Sequence, residues 1–233
     1  MKISVITLFP DMISSFIKES IIKRAVDKGL VEIELINLRD FAKDKYKSVD
    51  DKPYGGGAGM ILRVDVLKDA ISFAVKNKEG KTKIVLTSAK GKTYSQKKAN
   101  DYLKLDHLVI IAGHYEGTDE RILNYIDEEI SIGDFILTGG EVVASAIIDS
   151  IVRLIPEVLK KEEATKEESF SKEFPLEYPQ YTKPAEFDGN KVPEILLSGD
   201  HEKIKEWRLI KSKELTKKLR PDLLKNTNTS SST

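Results

Sequence analysis

The run SIGDFILTGGE, residues 131–141, sets three glycines around three consecutive apolar residues, Phe135, Ile136 and Leu137, and ends on an acid, Glu141. Glycine loses more backbone entropy on ordering than any other residue, so such a cluster marks a sharp turn or a close approach to the backbone. The run reads as a short strand closed by Gly133 on one side and Gly139-Gly140 on the other. Either the chain crosses itself tightly here, or a ligand lies against that backbone.

The flanking segments say what kind of sheet this run joins. KISVITLF (2–9), VEIELI (31–36), KIVLTS (83–88) and HLVIIA (107–112) are short and rich in β-branched residues. Between the first two, PDMISSFIKESIIKRAVDKG (10–29) reads as one helix, opened by Pro-Asp and closed by Gly29. VDVLKDAISFAVKN (64–77) has apolar residues at 64, 67, 70, 71, 74 and 75, and a short polar helix is predicted near 94–103. Strands alternating with helices predict an α/β domain around a largely parallel sheet. Ligands of such sheets sit beyond the carboxyl ends of the strands. Those ends carry the glycine-bearing loops SAKGK (88–92), AGHYEG (112–117) and GDFILTGG (133–140).

Downstream, EVVASAIIDSIVRLIPEVL (141–159) is apolar nearly all round, which predicts a helix buried between the sheet and a partner. Glu141, Ser145, Asp149 and Arg153 recur along it every four positions. The composition then changes: KKEEATKEESFSKE (160–173) is charged and reads as a linker, with Glu162, Glu163, Glu167 and Glu168 ordinarily solvated charges. From 174 the chain is Pro/Tyr-rich and then helical. Between 203 and 225 it has nine Lys/Arg against three Asp/Glu, and Ile204, Trp207, Ile210, Leu215 and Leu219 offer a small core. The tail NTNTSSST is predicted to be disordered. The expected division is thus 1–159, a linker over 160–173, and 174–233.

Composition narrows the chemistry. There are no cysteines, which excludes disulfides, thiolate catalysis and Cys-type zinc sites. His107, His114 and His201 are scattered, against a His-rich metal site. Lys+Arg and Asp+Glu are both 38, so only the distribution of charge can speak to nucleic acid. No run approaches the ~18 apolar residues of a membrane span, and no signal-peptide pattern opens the chain, so a cytoplasmic location is expected.

AKGKT (89–93) imitates the end of a phosphate-binding P-loop, but the motif needs glycine where Leu86 stands. DDKPYGGGAGM (50–60) leaves many backbone N–H groups bare, which suits a phosphate or base as well as a surface loop. GHYEGTDER (113–121) places Glu116 between two glycines, where a carboxylate can accept from a ligand amine. Arg153 lies one helical turn after Asp149, and an intrahelical ion pair would explain both.

Taken in order, ITLFP, DDKPYGGGAGM, GHYEGTDER, EISIGDFILTGGE, IDSIVRLIPEVL, YPQYTKP, VPEILLSGDH and IKEWR resemble the bacterial tRNA (guanine-N1)-methyltransferase family, TrmD-like, of the knotted SPOUT methyltransferases. The resemblance implies methyl transfer from S-adenosylmethionine to N1 of the guanine immediately 3′ of the anticodon. It implies an N-terminal domain ending in a trefoil knot, a helical tRNA-binding C-terminal domain, and an obligate homodimer with the active site between subunits. Mg²⁺ is expected, without a nameable ligand set. Cofactor contacts carried over are Leu86, Ser88, Gly113, Tyr115, Glu116, Ile132, Gly133, Asp134, Phe135, Ile136, Leu137, Gly139 and Gly140. The family's arginine at guanine O6 maps to Arg153. Its aspartate base maps to Glu168, directly before Ser169-Phe170, and the usual proline of the first knot loop is Ala89. The alternatives are a SPOUT methyltransferase acting on another nucleotide and a catalytically silent RNA-binding module.

Overall fold

The computed structural model describes residues 1–76, 80–160, 165, 167–171 and 173–225. Residues 77–79, the linker positions 161–164, 166 and 172, and the tail from 226 onward lie outside the described residues. The chain divides into two compact units, Met1–Leu159 and Lys160–Thr233.

The first unit is built on a parallel sheet. Strands β1 (Lys2–Thr7), β2 (Glu32–Asn37), β5 (Thr82–Thr93), β6 (His107–Ile111) and β7 (Glu128–Ser131) stand in the order β2-β1-β6-β5-β7. Successive side chains of a strand point to opposite faces, and each face here is apolar. Ile3, Val5, Leu108 and Ile110 pack under helices α1 (Pro10–Ile17), α2 (Ser20–Asp27), α4 (Gln96–Tyr102) and α5 (Glu141–Val152). Ile6, Val109 and Ile111 pack under α3 (Val64–Ala74), together with Leu62 from the small hairpin of β3 (Asp50–Asp51) and β4 (Ile61–Leu62). A sheet covered on both sides accounts for the near-continuous apolar runs.

Four expectations are corrected. The helix over 10–29 is broken: Glu19 is extended and Ser20 has φ of 54°. The break resets the buried phase, from Ile13 in α1 to Ile22 and Ala25 in α2, which one continuous helix would not place on a single stripe. Strand β5 does not end at Ser88. Val85–Thr87 pair with Glu128–Ile130, the chain bulges out, and Lys92–Thr93 pair with Ile130–Ser131. Helix α5 stops at Val152; Leu154 and Ile155 close tight turns on Ile151 and Val152, because a residue before proline (here Pro156) is pushed out of the helical region. Within the single chain Val142 of α5 is 55% exposed, which leaves room for the second cover that the sequence reading expects. Finally, 135–137 is not a strand but a loop beyond the end of β7.

The second unit centres on α7 (His201–Leu219), with α6 (Glu194–Leu197), α8 (Asp222–Lys225) and a hairpin of β8 (Glu186–Phe187) and β9 (Asn190–Lys191). Its interior differs from the expected apolar stripe, for Ile210 and Leu219 are exposed. The buried face of α7 is instead Ser212 and Thr216, one turn apart, which bind the backbone of Leu176. Ser212 Oγ donates to its carbonyl (2.5 Å), and its N–H donates to Thr216 Oγ1 (3.1 Å). Phe174 is sealed nearby at 1% exposure.

Candidate active site

The carboxyl ends of β5, β6 and β7 are tied together by short backbone contacts. Thr87 Oγ1 donates to the Ile111 carbonyl (3.2 Å) and accepts from the Gly113 N–H (3.0 Å). The Gly140 N–H donates to the Gly113 carbonyl (2.7 Å), and His114 bridges to Gly139. A Cβ on Gly140 would collide with Thr87 Oγ1 and stand 2.8 Å from the Gly113 nitrogen. Gly133 answers a different need, a turn with φ of 150°. The glycines of 131–141 therefore serve first as a crossing of three backbone segments.

Strand β1 reaches the same edge. Thr7 Oγ1 donates to Glu141 Oε1 (2.8 Å), both residues being buried at the start of α5. Glu141 Oε2 lies 3.6 Å from His114 Nδ1, and the His114 ring packs against Phe9 and Tyr115, each at 4.9 Å between centroids. Tyr115 itself has φ of 57°, a sparsely populated region for a non-glycine residue and one found at ligand sites.

Above this crossing lies a cleft of about 400 Å³, of the size that takes a small organic molecule. Every cofactor position carried over from the resemblance lines it except Asp134. The lining also includes Thr87, Ala89, His114, Thr138 and Val143, which sequence reading did not give as cofactor contacts. Thr87 and His114 each sit beside a predicted position, which was the available signal; Glu141 was seen only as one member of a polar stripe. On the rim, Lys90 Nζ bonds Glu120 at 2.9 Å, and that carboxylate raises the Lys90 pKa above its ordinary value. Phe135 and Ile136 are 54% and 83% exposed, an apolar edge presented beside the cleft.

The glycine-rich stretch 50–60 joins β3 to β4 and is stitched to the same rim. The Glu116 N–H donates to the Met60 carbonyl (3.0 Å) and the Leu62 N–H to the Gly117 carbonyl (2.9 Å). Gly59, at φ of 82°, leaves the space that the Glu116 side chain fills. The stretch is thus a built hairpin loop, with Tyr54 fully exposed at its tip.

The two expected catalytic residues are placed separately. Arg153 is half-buried at the carboxyl end of α5, its N–H bonded to the Asp149 carbonyl (3.2 Å). Asp149, the partner in the alternative ion-pair reading of Arg153, is exposed. Glu168 belongs to the second unit and is half-buried in a turn, where its carbonyl accepts from the Ser171 N–H (3.3 Å). Arg153 does not line the cleft of its unit. Glu167 stays exposed, as a solvated charge would be, but it is also engaged: its Oε2 accepts from Tyr178 OH (3.2 Å) and Arg208 Nη1 (3.3 Å). Glu177 lies close by, its N–H bonded to Ser169 Oγ (2.9 Å) and its carboxylate held by Gln180.

Residues 1–226 match the family described as tRNA (Guanine-1)-methyltransferase TrmD. The chain belongs to that family. A tRNA (guanine-N(1)-)-methyltransferase of Clostridium botulinum strain Eklund 17B is 55% identical over 226 residues, covering 97% of this chain and 93% of the relative. One of the same name from Clostridium beijerinckii is 54% identical over 225 residues, covering 97% and 92%. For a tRNA (guanine-N1)-methyltransferase the methyl donor is S-adenosylmethionine, and the cleft fits it. Ile132, Leu137 and Val143 give an apolar wall, while the backbone of the three loops gives donors and acceptors. As to Mg²⁺, among the described residues no group of three or more His, Asp or Glu is placed to hold a metal ion.

Proposed function

We propose that this chain transfers a methyl group from S-adenosylmethionine to N1 of the guanine immediately 3′ of the tRNA anticodon, in the cytoplasm, so keeping the reading frame. The observation that carries this reading is the convergence of three glycine-bearing loops on one cleft, in a chain of this family. S-adenosylmethionine supplies an electrophilic methyl group. The guanine must leave its stack to present N1. As the new N1–C bond forms and the S–C bond breaks, the N1 proton passes to Glu168. An unperturbed carboxylate is a weak base toward this proton, and a cation at O6 closes the gap by stabilising the charge that develops there. Arg153 is that cation.

Because Arg153 lies outside the cleft of its own unit, we place the reaction between two subunits of a homodimer. The outward Val142, Phe135 and Ile136 are the apolar surface such an interface buries. The first unit, 1–159, binds the donor; the second carries the base and grips the tRNA. The basic run of α7 suits phosphate-dominated RNA binding. We also read the sheet edge as the family's trefoil knot. In support, Thr87 and Lys92 both pair with Ile130, and Gly91 crosses the 129–130 backbone with no room for a side chain.

The test is nucleoside mass spectrometry of unmodified tRNA incubated with the protein and S-adenosylmethionine. N1-methylguanosine at the expected position supports the reading. A methyl group elsewhere assigns another substrate, and tRNA bound but unmethylated indicates a silent RNA-binding module.

A further inference from the structure

The acid next to the candidate base has partners that a linker charge does not need. Glu167 Oε2 takes two donors, the Tyr178 hydroxyl at 3.2 Å and Arg208 Nη1 at 3.3 Å. The three side chains also brace one another. The Arg208 guanidinium stands over the Tyr178 ring at 4.7 Å, and that ring packs edge-on against the buried Phe174 at 5.4 Å. Arg208 is on α7, so the contact joins residue 167 to the main helix of the second unit.

The turn that follows is pinned as well. The Phe170 N–H donates to the Pro175 carbonyl (3.0 Å), the Glu177 N–H to Ser169 Oγ (2.9 Å) and the Phe174 N–H to Ser171 Oγ (3.1 Å). Phe170 has φ of 67°, a conformation that a phenylalanine keeps only where its surroundings dictate it. With residue 167 clamped on one side of Glu168 and residues 169–171 on the other, the Glu168 backbone has little freedom left.

We propose that Glu167, clamped by Tyr178 and Arg208, is a positioning residue that fixes the Glu168-bearing turn to the tRNA-gripping unit, so that the base is delivered as part of that unit. The inference rests on the reading of Glu168 as the base. It gives tRNA recognition a mechanical link to proton removal, because the helix expected to meet RNA phosphates also holds the clamp. Burial raises the Tyr178 pKa, which keeps its hydroxyl a donor to Glu167 across neutral pH.

The experiment is single-turnover transfer of labelled methyl to unmodified tRNA at saturating tRNA and S-adenosylmethionine, with tRNA affinity measured in parallel. Glu167→Ala, Glu167→Gln, Tyr178→Phe, Glu168→Gln and the double variant Glu167→Ala/Glu168→Gln are compared. Glu167→Ala is expected to slow transfer roughly 10–100-fold, the scale of losing alignment by about an ångström, with tRNA affinity unchanged. Glu167→Gln, which keeps an acceptor oxygen in place, should recover most of the rate. Tyr178→Phe should slow transfer less than Glu167→Ala. In the Glu168→Gln background, Glu167→Ala should cost nothing more, since a clamp that acts through the base has nothing left to position. A normal rate for Glu167→Ala beside a slow Glu168→Gln overturns the clamp and leaves the base assignment standing. A further loss in the double variant, or a matching fall in tRNA affinity, also overturns it. A normal rate for Glu168→Gln removes the base assignment, and the clamp with it.

Discussion

In the first unit the working surface is made by backbone. Gly113, Gly139 and Gly140 let three strand ends touch, and Thr87 bonds two of those segments through one hydroxyl. In the second unit backbone is held by side chains: Ser212 and Thr216 grip Leu176, and Tyr178 with Arg208 grip Glu167. The difference suits the tasks. A cleft for a small donor needs a fixed shape, and close-packed backbone has few alternatives. Under the proposal, an acid that acts on a guanine brought in by tRNA is mounted on the unit proposed to bind the RNA. Damage should differ accordingly: added bulk harms the first unit, while loss of single polar groups harms function in the second.

After the base itself, the largest expected effect is at the proposed O6 cation. Arg153→Ala should lower single-turnover methylation by ~10²–10³-fold, the worth of one charge-stabilising donor at a developing oxyanion, while the melting temperature barely moves. Comparable losses of stability and rate would make Arg153 a structural residue.

Next is the backbone crossing. Gly140→Ala inserts a methyl group where Thr87 Oγ1, Gly113 and Ala112 leave no room. It should cost about 1–3 kcal/mol, as overpacking does, and weaken S-adenosylmethionine binding by calorimetry. Unchanged melting and binding would mean that the crossing gives way freely, and the contrast between the units would fail.

These effects separate what is legible in the sequence from what is not. Alternating segments gave the parallel sheet, and the glycines marked the cleft, because strand burial and turn geometry leave local signatures. The break at Ser20 was hidden, since helix-forming residues run through it and only packing on the sheet decides the phase. The second half of β5 looked like a turn because AKGKT is polar, yet it pairs with Ile130 and Ser131, far along the chain. Glu167 was unreadable for the same reason: its partners are 11 and 41 positions away.

A smaller effect is the pH dependence of the sheet edge away from the cleft. Burial disfavours the charge on Glu128, but hydrogen bonds from Lys98, Tyr102 and Lys83 outweigh it and hold the carboxyl below its ordinary value of 4.5. A carboxyl with a depressed folded-state pKa stabilises the fold above that value, and the contribution fades as pH falls through the folded pKa. Glu128→Gln should therefore cost about 1–2 kcal/mol at neutral pH, and the gap from the unsubstituted protein should close as denaturation is followed to more acid pH. A gap that widens in acid would contradict the assignment. Smallest is Asp149→Ala, an exposed change expected within ~0.5 kcal/mol and at full activity; behaviour like that of Arg153→Ala would favour a paired, structural reading of both.

The central claim is that an acid carried by the second unit removes the guanine proton. It is tested most directly by single-turnover methyl transfer to unmodified tRNA across pH, comparing Glu168→Gln and Glu168→Asp with the unsubstituted protein. Glu168→Gln should be ~10²–10⁴-fold slower, the usual worth of a positioned base, with donor and tRNA affinity nearly kept, and Glu168→Asp should remain active. A near-normal rate for Glu168→Gln at every pH would contradict the account and turn attention to Glu177, the acid bonded to the same turn through Ser169.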